Sequence, residues 1–181
     1  MLETKDLVIK KAEQKDWRDM YYNLWSHSES ARYMLWNVTT SEEAAQFRME
    51  RTIAFQATHE YQWNVYERKS GQAIGFAGLE QLEEQVYGET GIAVGPAFTR
   101  RGYGKQIMNA LVNFAKNELG ARKFVASCRS GNEASRRLIL SCGFLYSHSE
   151  EKVDARNGEG YTLEYYFKEL DGNYGKNSNC E

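Results

Sequence analysis

Proline is nearly absent. Pro96 is the one proline in 181 residues, and no Ser/Gly-rich stretch divides the chain. A linker between two domains has no obvious place, and the length suits one domain with a full-sized core. We expect that domain to span residues 1–170, with 171–181 ("DGNYGKNSNCE") as a frayed tail lacking apolar periodicity. No apolar run approaches the length of a bilayer span. The opening "MLETKDLVIKKAEQKDW" is charged throughout and has no apolar signal core. Both point to a cytoplasmic protein without a membrane partner. There is no basic surplus either: 23 Lys+Arg face 25 Asp+Glu, a formal charge of -2. General affinity for nucleic acid is not expected. Cys128, Cys142 and Cys180 form no close pair, which fits reduced thiols. No Cys/His cluster has zinc spacing, so no metal is expected.

Aromatic residues are plentiful, with 12 Tyr, 8 Phe and 4 Trp. Residues 4–12 read as a first strand. Trp17, Met20, Tyr21, Leu24 and Trp25 recur at three- and four-residue spacings, so 13–25 is predicted as an amphipathic helix. Thr40 or Ser41 can cap a second helix that runs to about Phe55. The segments 61–68 and 73–82 form a hairpin around "KSGQ", and 87–94 is a further strand that stops at Gly95-Pro96. From Gly102 to Leu119 the pattern is helical, ended by Gly120. A buried-type strand at 122–129 follows. Then comes a short helix with Asn132 as N-cap and Gly143 as stop. Two strands flank "ARNGEG", where Asn157-Gly158 signals a hairpin. The order is β-α-α-β-β-β-α-β-α-β-β. The unit from 87 to 129 makes its two strands parallel, and the other neighbours are expected as hairpins. The fold class is α/β (α+β in some schemes). A mixed, mostly antiparallel sheet of about seven strands has one parallel pair, with helices on both faces.

One stretch concentrates chemistry. "TRRGYGKQ", 99–106, places Arg100, Arg101, Gly102, Gly104 and Lys105 where a helix opens. A helix N-terminus leaves backbone N–H groups unpaired and carries partial positive charge, so it suits a phosphate. Glycine permits close approach. The segment is not a P-loop, which needs G-x-x-x-x-G-K-[S/T]. Nor is it a dinucleotide fingerprint, because Ile107 stands where the third glycine belongs. Taken alone, these eight residues read better as a tight turn with exposed arginines.

With its flanks the stretch reads "GIAVGPAFTRRGYGKQIMNAL". That resembles the coenzyme A signature of the GNAT superfamily of acyl-CoA N-acyltransferases: a strand ending in apolar-x-V-x-P, then [Q/R]-x-x-G-x-[G/A] opening a helix. The family's second signature, N-x-x-[A/S]-x-x-L followed by G-F, is matched by Asn132, Ser135, Leu138, Gly143 and Phe144. The resemblance is sharp from 87 to 144 and extends as element order over about 4–168. Two positions depart from it. Thr99 stands where Gln or Arg is usual, and Ile139 where many members carry a Tyr that protonates the departing thiolate. A thiol pKa near about 8.5 lets that group leave with little help.

The resemblance implies a GNAT-like fold, acetyl-CoA as cosubstrate and transfer to a primary amine: a protein N-terminus, an amino acid or a small amine. The backbone of Ile92, Ala93 and Val94 would pair with the pantetheine arm where the strands 89–94 and 123–129 splay apart. The amides of Arg100, Arg101, Gly102, Tyr103, Gly104 and Lys105 would cradle the pyrophosphate. Asn132 would reach the pantetheine, although by itself it reads first as a helix cap, and the two roles are compatible. Arg136 and Arg137 would lie near the nucleotide or on a solvated helix face. Glu89 is the expected base, with Glu80 in reserve. A backbone N–H near Val94 would stabilise the oxyanion. Ser135 is the candidate acid. Cys128 reads as core, and Cys142 lies at a helix C-terminus that disfavours a thiolate.

"ESARYMLWNVTTSEEAAQF" resembles the branch containing the ribosomal-protein N-terminal acetyltransferases, the RimJ/RimL-like enzymes. On that likeness Tyr33 and Trp36, read as exposed linker aromatics, would bind the acceptor, while Trp17, Tyr21 and Trp25 form a core face. The mild net acidity would suit a cationic amine. A homodimer is left open. A non-catalytic acyl-CoA-binding or sensing module is the alternative, motivated by Ile139. A binder of some other phosphate ligand comes third.

Overall fold

In the computed structural model, residues 1–170 are described; the expected tail and Cys180 lie outside them. Eight strands form one sheet: β1 Leu2–Glu3, β2 Leu7–Lys10, β3 Gln62–Glu67, β4 Ala73–Glu83, β5 Val86–Val94, β6 Lys123–Arg129, β7 Leu145–Val153 and β8 Gly160–Glu169. Their spatial order is β1-β2-β3-β4-β5-β6-β8-β7. The additional strand over the expected seven is β1, two residues paired with Val8 and Ile9. β5 and β6 are parallel, and all other neighbours are antiparallel. The junction of β6 with β8 is not a hairpin. β8 enters between β6 and β7, so β7 becomes the edge.

Among the described residues five α-helices cover the sheet: α1 Trp17–Met20, α2 Ser28–Ala31, α3 Glu42–Thr58, α4 Tyr103–Glu118 and α5 Glu133–Ser141. Alternation along the strands sorts the core into two layers. Beneath α4 and α5, Leu7, Ile9, Val65, Leu79, Phe124 and Ala126 meet Ile107, Leu111, Ala115 and Ile139. On the opposite face Tyr66, Ala73 and Ala93 meet Met20, Leu24, Trp25, Ala45 and Met49. That second layer reaches only as far as β5. Asn132 and Ser41 are the observed caps, accepting from the N–H of Ser135 and Ala44.

The helix expected over 13–25 is broken into a 3-10 turn at Gln14–Asp16, the short α1, and a π-turn at Tyr21–Trp25. Three- and four-residue spacing cannot separate these winding states, because each keeps roughly one face apolar. The π-turn has a local reason. Asn23 donates its side-chain amide to Ala73 O at 2.9 Å, and its carbonyl lies against Gly95, where an added Cβ would stand 2.1 Å from it. Gly95 therefore serves close packing as well as ending β5.

Candidate active site

The parallel pair is short. β5 and β6 meet only at Val86–Gly88 and Lys123–Val125. β5 then runs on to Val94 without β6, still paired with β4, opening a fork. A bulge starts it: β4 residue Gly78 pairs Gly91 while Leu79 pairs Glu89, leaving Thr90 as the extra residue. Gly91 has φ +135°, which favours glycine. Thr90 and Gln62 exchange side-chain hydrogen bonds of 2.7 and 3.0 Å across Gly78, where a Cβ would stand 2.0 Å from Gln62 Oε1.

Beyond the bulge β5 has one free edge. Gly95 donates to Ile74 O at 2.8 Å. By alternation Ala93 also faces β4, while Ile92 and Val94 turn their backbone groups toward the side that β6 has left. Glu89 stands in the fork itself. Its Oε1 accepts the N–H of Ser127 at 3.1 Å. Burial pushes its carboxyl up to about 7, against the pull of that N–H. Glu80, opposite Gly88 on β4, is exposed and stands outside the fork.

The glycine loop leads from β5 into α4. Gly102 is the N-cap at φ +78°, with open space where a Cβ would be. Gly104 serves another purpose: its Cβ would stand 3.0 Å from Leu138 Cδ2, so it lets α4 close on α5. Arg100 also adopts a left-handed φ of 59°. The α4 N-terminus has no side-chain cap and no acidic residue in its first turn. Its amides and Lys105 are therefore free to meet an anion, and acyl-CoA phosphates fit that donor set.

Arg101 does something the sequence did not disclose. Its guanidinium turns inward, donating to Glu67 Oε1 at 3.1 Å and to Ala97 O at 2.9 Å. Glu67 is buried at the end of β3 and also accepts from Tyr103 Oη at 2.7 Å and Ser70 Oγ at 2.8 Å. Tyr103 Oη holds its carboxyl below the usual range, ahead of Ser70. Glu67 thus anchors the loop from beneath. "YERKSG" offered only a strand end to suggest it.

Asn132 accepts the Ser135 N–H at 3.1 Å, so its carbonyl oxygen serves as the cap. Arg136 is committed elsewhere: Nε and Nη2 grip Glu164 at 2.9 and 2.7 Å, and Nη2 also reaches Ser130 O at 2.6 Å. This removes its side chain from the nucleotide role. Arg137 is exposed. Cys128 is buried on β6, and burial first, then the Glu164 charge, pushes its thiol up to about 11. Burial raises Cys142 as well. Neither thiol is prepared to act as a nucleophile. Ile139 is buried in the core under α4 and α5.

Tyr33 and Trp36 are not freely exposed. Tyr33 Oη donates to Gly131 O at 2.9 Å. Trp36 packs against the α1–α3 core, and Arg48 is stacked 4.5 Å from both Trp25 and Trp36. Burial lowers the Arg48 pKa to about 10. Another buried anchor is Asp154, just after β7. It accepts from Arg129 Nη2 at 2.8 Å and Arg156 Nη2 at 2.6 Å, and Arg156 Nη1 reaches Trp36 O at 2.7 Å. The Arg156 and Arg129 guanidiniums hold the Asp154 carboxyl well below the usual carboxylate range. In the sequence nothing singles Asp154 out ahead of "ARNG". No helix among the described residues is long and apolar enough to cross a membrane.

A family model described as the acetyltransferase (GNAT) domain matches residues 6–145. An uncharacterized N-acetyltransferase of Bacillus subtilis, YoaA, is 25% identical over 168 residues, covering 92% of this chain and 94% of that protein. The crystal structure of a GNAT-family acetyltransferase from Bacillus anthracis superposes with TM-score 0.79 at 20% identity, over 93% of this chain and 97% of that one. The spermidine N-acetyltransferase of Vibrio cholerae, solved with CoA and spermine, superposes with TM-score 0.70 at 16% identity, over 92% and 96% of the two chains.

Proposed function

The chain belongs to the acetyltransferase (GNAT) family, and on that premise we propose that it moves an acetyl group from acetyl-CoA to a primary amine, by direct attack of the amine in a ternary complex. The observation that carries this reading is the fork. A carboxyl with its pKa near 7 stands where β5 and β6 part, on the strand whose free edge runs toward the uncapped α4 N-terminus.

The residues divide the work by position. The amides from Arg100 to Lys105 hold phosphate, with Gly102 setting the turn and Glu67 fixing the loop. Ile92 and Val94 offer backbone groups to the pantetheine arm, and one of their N–H groups polarises the thioester carbonyl. Acetyl-CoA supplies an acetyl group on sulfur, whose C–S bond breaks as the new C–N bond forms. Glu89, ionised above about pH 7, takes the proton that the amine gives up, directly or through a water. Ser135, beside Cys128, is the hydroxyl available to the departing sulfur. Tyr33 and Trp36 belong to the acceptor wall, where Tyr33 shapes it through Gly131.

Thermal unfolding with and without acetyl-CoA, using ATP as control, tests the cosubstrate. At about 100 times Kd, binding contributes roughly 2.7 kcal/mol, a rise of about 5–10 °C. Thiol release with an amine panel, in the wild type and Glu89→Gln, then tests transfer. A rise with acetyl-CoA alone and a rate that Glu89→Gln lowers by about a hundredfold or more are expected. Binding without amine-dependent thiol release would instead favour the non-catalytic acyl-CoA module, the reading that the buried Ile139 motivates.

A further inference from the structure

Arg129 ends β6, two residues beyond the Ser127 whose N–H meets Glu89. Alternation sends Phe124, Ala126 and Cys128 into the core under α4 and α5. It places Val125, Ser127 and Arg129 on the opposite face. There the α1–α3 layer has already ended at β5, so among the described residues no helix covers β6, β8 and β7 on this side.

Arg129 is held as an oriented group. Its guanidinium stacks 3.9 Å from the Tyr161 ring centroid, and Nη2 donates to Asp154 Oδ2 at 2.8 Å. Arg156 occupies the same carboxylate through Nη2 at 2.6 Å and Nε at 2.9 Å. Two guanidiniums thus share one buried carboxylate, and one positive charge is left over. Nε and Nη1 of Arg129 have no hydrogen bond among the described residues, and the side chain keeps 17% of its surface exposed. Of the acidic side chains nearby, Glu150 is paired with Lys152, while Glu159 meets only the neutral Asn157 amide and is exposed, so solvent screens its charge from the guanidiniums. Arg32, exposed and 5.1 Å from the Tyr33 ring, adds to it.

The position is the mouth of the fork. Tyr33 bonds Gly131 and Arg156 bonds Trp36, so the acceptor wall, the end of β6 and the loop after β7 converge around Arg129. Keeping a partly buried cation in excess is unfavourable unless an anion completes it. The chain as a whole is mildly acidic, so this local sign opposes the overall one. It also opposes the cationic acceptor that net charge suggested.

We propose that Arg129 binds a carboxylate of the acceptor, and that the acetylated amine belongs to a small amino acid-like molecule. This rests on the acetyl-transfer reading above. The spacing fits: Ser127 and Arg129 are about 7 Å apart along the strand, the scale of an amino acid and not of an extended polyamine.

The test is thiol release by the wild type, Arg129→Gln and Arg129→Lys. Acceptors are the standard amino acids, their C-terminal amides, spermidine, and peptides with an acidic second residue. For the preferred amino acid, kcat/KM should exceed that of its amide by at least about tenfold, the scale of a charge-assisted hydrogen bond. Arg129→Gln should bring that ratio close to one, and Arg129→Lys should restore part of it. A wild type that prefers amides, spermidine or the peptides overturns the proposal, as does a ratio that survives in Arg129→Gln. If no amine releases thiol, the transfer reading has failed. Calorimetry of amino acids against the CoA-loaded protein then decides this one: binding lost in Arg129→Gln upholds it, and absent or unchanged binding overturns it.

Discussion

The Glu89 carboxylate accepts the main-chain N–H of Ser127 at 3.1 Å, across the point where β5 and β6 separate. One hydrogen bond thus marks where pairing between the strands ends and holds the carboxyl expected to take the proton. Its pKa of about 7 lies above the ordinary 4.5 because of burial. The folded chain keeps a proton over that interval that the unfolded chain releases. The stability it contributes is therefore fully present below about pH 4.5 and is lost as pH rises toward 7.

Glu89→Gln should lower the rate by about a hundredfold or more and remove the inflection near pH 7 from the pH–rate profile. The same variant should melt higher than the wild type at pH 8 and alike at pH 5, since Gln retains an acceptor for Ser127 without the buried charge. Melting curves at the two pH values check this. A wild-type profile that is flat from pH 5 to 9 would falsify the assignment.

Glu67→Ala should destabilise the protein by about 2 kcal/mol or more, because Tyr103 loses a buried acceptor and Arg101 its partner. The apparent affinity for acetyl-CoA should fall with it, because the loop into α4 loses its anchor. Denaturant unfolding and KM for acetyl-CoA are the measurements. Arg101→Ala, at a half-exposed pair, should have a smaller effect on stability.

Gly102→Ala should cost about 1 kcal/mol from its left-handed φ alone, since space is open around it. Gly102→Asn should recover part of that, as Asn tolerates the conformation. Comparing the two variants' melting temperatures separates backbone strain from crowding.

Arg48→Ala should destabilise by about 2 kcal/mol, through loss of the stack between Trp25 and Trp36 and the 2.9 Å bond to Thr39 Oγ1. Arg48→Lys should rescue it poorly, because an ammonium has no planar face to stack between two indoles. Tryptophan fluorescence during unfolding reports both.

The parts of this protein that are local in the chain were legible in the sequence. The glycine loop, the Asn132 cap, the parallel pair and Glu89 on its strand each rest on residues within one element or its neighbour. What escaped is long-range. Glu67 meets Arg101 and Tyr103 across separations of 34 and 36 residues. Asp154 gathers Arg129 from 25 residues away. Carboxylates of this kind carry no periodicity, so nothing in a strand end or a turn marks them. Tyr33 and Trp36 were read as exposed because a linker of uncertain path gave no partners, whereas Gly131, Arg48 and Arg156 supply them. Asn157-Gly158 announced a hairpin between β7 and β8, but a turn does not say which of its strands will face β6.

The place of β8 has a consequence for synthesis. β7 emerges from the ribosome before β8, yet β8 is its sheet partner, and β6 gains its long neighbour only from β8 as well. At translation speeds of about 5–20 residues per second, β7 waits roughly a second with both edges unpaired. Its nine residues, "LYSHSEEKV", are mostly polar, a composition that discourages aggregation during that interval. The floor beside the fork, which carries Ser127 and Arg129, therefore lacks its β8 neighbour until the last strand of the sheet has been made.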